Sequence, residues 1–157
     1  MPASRFNFER LARTRDGWLI DTNVISATIG NRSLHRGVAQ FFERIPSEHL
    51  FLSALTVGEI RKGIEALEES SEKRQALERK LDELRQRFAD QVLPVDSGVA
   101  DDWGRLTAHC QHEGRSIPAI DGLIVATAHA HNLVLVSHDA LFQRLNGYVD
   151  VYDPLAA

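Results

Sequence analysis

Residues 117 to 139 read IPAIDGLIVATAHAHNLVLVSHD and decide the fold class of this chain. The part from 119 to 131 is apolar on nearly every side, which predicts a helix that is buried within the protein. Residues 133 to 136 contain only Leu and Val and are too short for a helix, so they predict a buried strand. A buried helix that leads directly into a buried strand is typical of α/β domains.

The rest of the chain repeats this alternation of strands and helices. Short apolar runs predict strands at residues 18–20, 50–52, 92–95 and 148–151. Amphipathic periodicity predicts helices at residues 34–45, 55–67, 77–88 and 99–110, with a short helix at 140–145. The predicted fold is therefore an α/β domain with a central, mostly parallel sheet flanked by helices. Residues 17–157 form this single domain, and residues 1–16 form a loosely held N-terminal extension.

Composition excludes several classes of protein. The chain has 157 residues, which predicts one domain, and its 22 acids and 18 bases give a net charge of −4. That charge argues against a protein that coats nucleic acid by bulk attraction, but not against one that handles nucleic acid through bound metal ions. Cys110 is the only cysteine, which excludes an intramolecular disulfide and a cysteine-based zinc site. The sequence has neither a membrane-length apolar run nor a secretory signal, so we expect a cytoplasmic protein.

Two acidic residues directly follow predicted strands. Asp21 follows residues 18–20, and Asp139 follows residues 133–136 after two intervening residues. Ligands of open parallel sheets bind beyond the carboxyl ends of the strands, so neighbouring strands would bring these carboxylates to one edge. Each of them has an ordinary alternative as the N-cap of the helix that follows.

Two further acids lie on predicted helices. Asp121 is in the first turn of the buried helix, where a carboxylate is costly unless it is paired or bound to metal. It could also simply favour the helix dipole. Glu59 borders the apolar stripe of its helix beside Gly58, although an ordinary solvated position is its alternative. The four acids become informative only if the fold brings them together.

Four blocks of the sequence resemble the PIN-domain family, in the family's order. They are WLIDTNVIS at 18–26, LSALTVGEI at 52–60, IPAIDGLIVATA at 117–128 and VLVSHD at 134–139. The resemblance covers residues 18–154, and within the family it points to the VapC toxins of type II toxin–antitoxin pairs, including FitB-like members. It implies a PIN-domain-like α/β/α sandwich and a metal-dependent endoribonuclease.

The resemblance also implies the site residues. The family's four acids carry catalysis and metal binding, and they match Asp21, Glu59, Asp121 and Asp139 of this sequence. Supporting roles in holding these acids, a metal-bound water or a phosphate fall to Thr22, Asn23 and Ser137, although each could also be an ordinary cap or turn residue. Carboxylate oxygens suit Mg²⁺, or alternatively Mn²⁺. The family often has one more acid shortly after Asp139, and residues 140–142 lack it, which leaves one or two metal ions open.

Partners follow from the same resemblance. It implies an RNA substrate, a cognate VapB-like antitoxin and a homodimer, with no membrane partner. The predicted helices between residues 55 and 88 could present an apolar groove to the antitoxin. Three basic residues that flank the acidic blocks could contact the RNA backbone: Arg61, Lys62 and Arg115.

Two other classes of function compete with a nuclease. A degenerate, non-catalytic PIN-like module that binds RNA or regulates is supported by the missing acid after Asp139. A phosphatase or receiver-like domain would use Asp21 as a phosphoacceptor and normally requires a lysine further along the chain. Because no lysine follows Lys80, the sequence argues against that class.

Overall fold

The computed structural model of the chain describes residues 3–29 and 33–156. Its strands are β1 (Gly17–Ile20), β2 (Leu50–Ser53), β3 (Val92–Leu93), β4 (Leu133–Val136) and β5 (Val151–Tyr152). Its helices are α1 (Ala3–Thr14), α2 (Thr22–Ile29), α3 (Arg36–Arg44), α4 (Ala54–Glu65), α5 (Glu72–Arg87), α6 (Ser97–His112), α7 (Ala119–Ala130) and α8 (Ala140–Gln143). Within these described ranges, no helix is both long and apolar enough to span a membrane.

The five strands form one sheet in the order β3-β2-β1-β4-β5, and each neighbouring pair is parallel. The chain first adds β2 and β3 on one side of β1 and then crosses to the other side for β4 and β5. The strand order therefore reverses between β1 and β4, which is the position where open parallel sheets bind their ligands. The predicted parallel sheet is confirmed.

Side chains of the central strand alternate between two hydrophobic cores, as the pleat of a strand requires. Trp18 and Ile20 face a core that is completed by α1 to α5. Leu19 faces the opposite core, which is completed by α6, α7 and α8. Helices thus cover both faces of the sheet, and the predicted α/β/α sandwich is confirmed.

The N-terminal segment differs from the sequence prediction. Residues 3–14 form a helix, and Phe8 and Leu11 on it are buried in the first core. The prediction of a loosely held extension is wrong for this helix, because the Phe8 ring stacks on Trp18 with 5.0 Å between centroids. The domain boundary at residue 17 stays a prediction.

Element boundaries differ from the sequence prediction at β5 and at α5. The sequence predicts a strand over residues 148–151, whereas β5 begins only at Val151. The amides of Tyr148 and Val149 both donate to the Leu145 carbonyl, so this stretch closes a turn instead of pairing with β4. At α5 the helix begins earlier than predicted, at Glu72, because the Ser71 hydroxyl caps it by accepting a hydrogen bond from the Arg74 amide.

Candidate active site

Two strand ends at the centre of the sheet bring the first site residues together. Ile20 lies opposite Val136 in the pairing of β1 with β4, so Asp21 and Ser137 leave the sheet side by side. The Ser137 hydroxyl donates a hydrogen bond of 2.9 Å to Asp21 Oδ2. Both side chains are buried, with Asp21 only 4% exposed. The expected proximity of the β1 and β4 ends is therefore confirmed.

Ser137 also connects Asp21 to the next acid. Its Oγ accepts a hydrogen bond of 3.0 Å from the Asp139 amide, which fixes the backbone where Asp139 begins. Asp139 Oδ1 in turn accepts from the Leu141 amide at 2.8 Å and caps α8. Asp139 is therefore the N-cap of α8, as its alternative role predicted. This hydrogen bond uses one of its two carboxylate oxygens.

Glu59 reaches the same edge from the neighbouring strand. The Ser53 hydroxyl at the end of β2 caps α4 by accepting from the Leu55 amide, which starts the helix immediately beyond the sheet. The Thr22 hydroxyl donates a short hydrogen bond of 2.6 Å to Glu59 Oε1. The backbone amide of Thr22 donates a hydrogen bond of 2.8 Å to Asp21 Oδ1. Thr22 therefore joins Asp21 and Glu59 through two different groups.

A residue that the sequence analysis did not select supports this connection. The Thr56 hydroxyl lies 3.2 Å from the Thr22 hydroxyl, and Thr56 is fully buried. It precedes Glu59 by three residues on α4, and residues at that spacing share one face of a helix. This spacing was the available sequence signal, but a threonine near a carboxylate is too common a pattern to single out.

Asp121 completes the group from the other side of the sheet. It lies in the first turn of α7, whose N-cap residue, Pro118, provides no side-chain cap. Its side chain is half-buried, so the crevice expected around it is open on one side. Gly122 allows this turn to approach α6 closely, because a Cβ atom there would lie 3.1 Å from the Trp103 ring.

Burial and the charges of neighbouring acids act on two of the four carboxylates. Burial raises the pKa of Asp21 to about 6, although hydrogen bonds from Ser137 and Thr22 act in the opposite direction. The charges of Asp139 and Glu59 raise the Asp21 pKa further. Burial also raises the pKa of Asp121, and the charges of the same two acids add to that effect. Glu59 and Asp139 thus each lie close enough to Asp21 and to Asp121 to disfavour the ionisation of those two carboxyl groups.

Within the described part of the chain, no ion pair balances the charge of these carboxylates. Among residues 3–29 and 33–156, none of the four carboxylates forms an ion pair with lysine, arginine or histidine. Nor do the described residues include three or more His, Cys, Asp or Glu side chains grouped as a ready-made metal cage. A carboxylate-only donor set with few direct ligands fits Mg²⁺, which keeps several waters and uses one or two carboxylates.

The remaining residues selected from the sequence lie outside this network. Asn23 is exposed, and within the described part of the chain it makes no hydrogen bond to Asp21. Arg61 forms ion pairs with Glu65 and Glu78, and Arg115 pairs with Glu113. Two of the three basic residues proposed for RNA are therefore engaged by neighbouring acids.

Comparison with known proteins agrees with this fold. The family model of the PIN domain matches residues 18–148, and the chain belongs to the PIN-domain family. Toxin FitB of Neisseria gonorrhoeae is 35% identical over 121 residues, which are 77% of this chain and 86% of FitB. VapC ribonuclease Y4jK of Sinorhizobium fredii is 33% identical over 122 residues, with the same two coverages of 77% and 86%. The crystal structure of FitAcB from N. gonorrhoeae superposes with a TM-score of 0.80 at 30% identity, covering 89% of this chain and 99% of that chain.

Proposed function

We propose that this protein is a metal-dependent endoribonuclease and the toxin of a VapBC-type toxin–antitoxin pair. The observation that carries the proposal is the group of four carboxylates around the β1–β4 edge, none of which forms an ion pair with a cationic side chain of the described residues. Two carboxylates in this group have raised pKa values, so the metal-free site is electrostatically unfavourable. A divalent cation would relieve that repulsion and also reverse the sign that an RNA phosphate meets.

The proposed roles follow from the hydrogen bonds. Asp21 and Asp139 would hold the metal ion, with their positions fixed through Ser137. Asp121 would approach it from α7, and Glu59 would face it while Thr22 restrains one of its oxygens. Mg²⁺ or Mn²⁺ bound there would supply an activated water and stabilise the charge on the leaving oxygen. These side chains would place the ion and orient the phosphodiester beside it.

The relatives support the toxin assignment. FitB is a toxin and Y4jK is a VapC ribonuclease, and each aligns with more than three quarters of this chain. We accordingly propose a VapB-like antitoxin as the inhibitor, a homodimer as the active assembly and the cytoplasm as the location. Antitoxin bound near the β1–β4 edge would inhibit by excluding RNA from the carboxylates.

Cleavage of RNA by the purified chain tests the proposal. We expect cleavage with Mg²⁺ or Mn²⁺ and none with EDTA. The Asp121→Asn variant should be slower by at least about 100-fold, because loss of a group in direct contact with metal exceeds the 10- to 100-fold cost of losing an outer partner. Asp101→Asn is the matched control, since Asp101 is exposed on α6 and pairs with Arg105.

The outcomes separate the nuclease from its main alternative. Equal rates for Asp121→Asn and the parent would overturn the carboxylate assignment. RNA binding that needs neither metal nor carboxylates, without cleavage, would favour a non-catalytic PIN-like module. The absence of a further acid in residues 140–142 is the observation that keeps this alternative worth testing.

A further inference from the structure

A groove leads away from the acidic site between α2, α4 and α5. Its first part is a cavity of about 270 Å³ whose lining includes Thr22, Glu59 and Lys73. Its second part is a larger cavity of about 690 Å³. The two cavities share the lining residues Ser26, Lys73 and Leu77, so they adjoin one another along α5.

The charge along this path changes sign. Glu59 and Lys73 are the ionisable residues among those that line the first cavity. In the second cavity the ionisable lining residues within the described chain are Lys73, Lys80 and His35, with no carboxylate among them. A strand of phosphates that is cut at the carboxylates would therefore continue onto a basic surface, where electrostatic attraction favours it.

Lys73 is the basic residue that belongs to both cavities. It lies at the second position of α5, on an exposed part of the helix, and forms no ion pair with the described residues. Arg74 beside it differs, because its guanidinium is held by Glu65 at 2.6 Å and by the Leu67 carbonyl. The α4–α5 connection is thus fixed by Arg74, while the Lys73 ammonium faces the groove.

We propose that Lys73 is a positioning residue that binds an RNA backbone phosphate flanking the scissile bond. The proposal rests on the nuclease function proposed above and assigns the groove beside Glu59 to the RNA strand. A lysine acts here as a flexible point charge, so it supplies attraction and register on the strand without reading its bases. The sequence predicts RNA contacts at residues adjacent to the acidic blocks, whereas Lys73 comes near the site only through the packing of α5 against α2 and α4.

Steady-state cleavage by Lys73→Gln tests the proposal against a matched control. Arg79→Gln removes a positive charge from the same helix, and Arg79 is exposed and lines neither cavity. We expect Lys73→Gln to raise KM several-fold with little change in kcat, Lys73→Arg to restore KM, and Arg79→Gln to resemble the parent. With single-stranded RNA and the Asp121→Asn background, the slope of log Kd against log salt concentration should fall by about 0.7 on loss of Lys73.

The outcomes distinguish failure of this inference from failure of the nuclease proposal. If the parent does not cleave RNA, the proposed function itself fails. If the parent cleaves and Lys73→Gln matches Arg79→Gln in both KM and salt slope, the nuclease stands and the Lys73 assignment is overturned. An unchanged KM together with weaker antitoxin binding would also overturn it, because the groove would then serve an acidic protein segment.

Discussion

Asp21 is the residue whose environment most opposes its charge. It is almost fully buried, accepts two hydrogen bonds, and still has a pKa of about 6 against an ordinary value of 3.8. Hydrogen bonds to a carboxylate normally lower its pKa, so burial and the neighbouring acids outweigh them here. Asp21 is therefore fixed in position while its ionised form is disfavoured. A cation bound from solution would stabilise that ionised form.

The stability of the metal-free protein should therefore depend on the protonation of Asp21. The folded state holds this proton more tightly than the unfolded state, so the stabilisation is complete below about pH 4 and is lost as pH rises through about 6. The loss is on the order of 3 kcal/mol at most, from a shift of roughly two units at 1.36 kcal/mol each. Urea unfolding of the parent and of Asp21→Asn from pH 4 to pH 7.5, in EDTA, measures it.

As the pH rises from 4 to 7.5, we expect the free energy of unfolding of the parent to fall relative to that of Asp21→Asn. Mg²⁺ at pH 7.5 should then stabilise the parent more than the variant. A difference that is independent of pH would show that Asp21 is not the group that titrates. Equal stabilisation by Mg²⁺ would place the ion elsewhere.

At the scale of elements, the segment after β5 packs closely against α3 at Pro154. Gly37 lies in the first turn of α3, and a Cβ atom at this position would stand 1.9 Å from the Pro154 carbonyl oxygen. The obstacle is backbone, which cannot rotate away as a side chain would. This contact fixes the segment that follows β5 against the helices that cover the first core.

Gly37→Ala should consequently lower the free energy of unfolding by about 1–3 kcal/mol, the usual cost of overpacking. Gly104→Ala is the matched control because a Cβ atom at position 104 in α6 meets nothing within 4 Å. Alanine is the better helix former, so this control should be stabilised by up to about 1 kcal/mol. Chemical denaturation checks both variants, and a neutral Gly37→Ala would mean that the tail moves away at little cost.

At the scale of the whole molecule, α1 closes the first core from outside the segment that matches the family model. Phe8 packs between the Trp18 ring and the Arg44 guanidinium, which lies 3.6 Å from the Phe8 ring centroid. Arg15, just after α1, pairs with Asp150 at 2.6 Å and donates to Asn132 at 2.8 Å. The N-terminal region therefore contacts residues from the early part of the domain, Trp18 and Arg44, and from its late part, Asn132 and Asp150.

Leu11→Ala should destabilise the protein by about 2–5 kcal/mol, because Leu11 is 1% exposed and its loss leaves a cavity. Glu9→Ala on the exposed side of the same helix should change the free energy of unfolding by less than about 0.5 kcal/mol. Equilibrium unfolding in urea compares the two. Equal small effects would restore the view of this segment as a loosely attached extension.

The sequence by itself determined the alternation of strands and helices and the parallel sheet, and it marked four acids as candidates for the site. These follow from local properties, namely the period of apolar residues and the position of Asp21 and Asp139 just beyond apolar runs. It also predicted that these two acids lie near each other, because parallel strands end at a common edge. The resemblance to the PIN-domain family indicated that the four acidic blocks, in this order along the chain, belong to one site.

Only the tertiary structure decided which of the expected supporting residues bond to those acids: within the described chain, Thr22 and Ser137 do and Asn23 does not. Thr22 and Glu59 are 37 residues apart, and Ser137 and Asp21 are 116 apart, so no local pattern reports their hydrogen bonds. The same holds for Lys73, which lines a cavity together with Glu59 because α4 and α5 pack together, and for α1, whose few apolar residues find their partners only across the folded core. Such contacts depend on strand register and helix packing, which arise from the burial of the whole chain and not from any one segment of it.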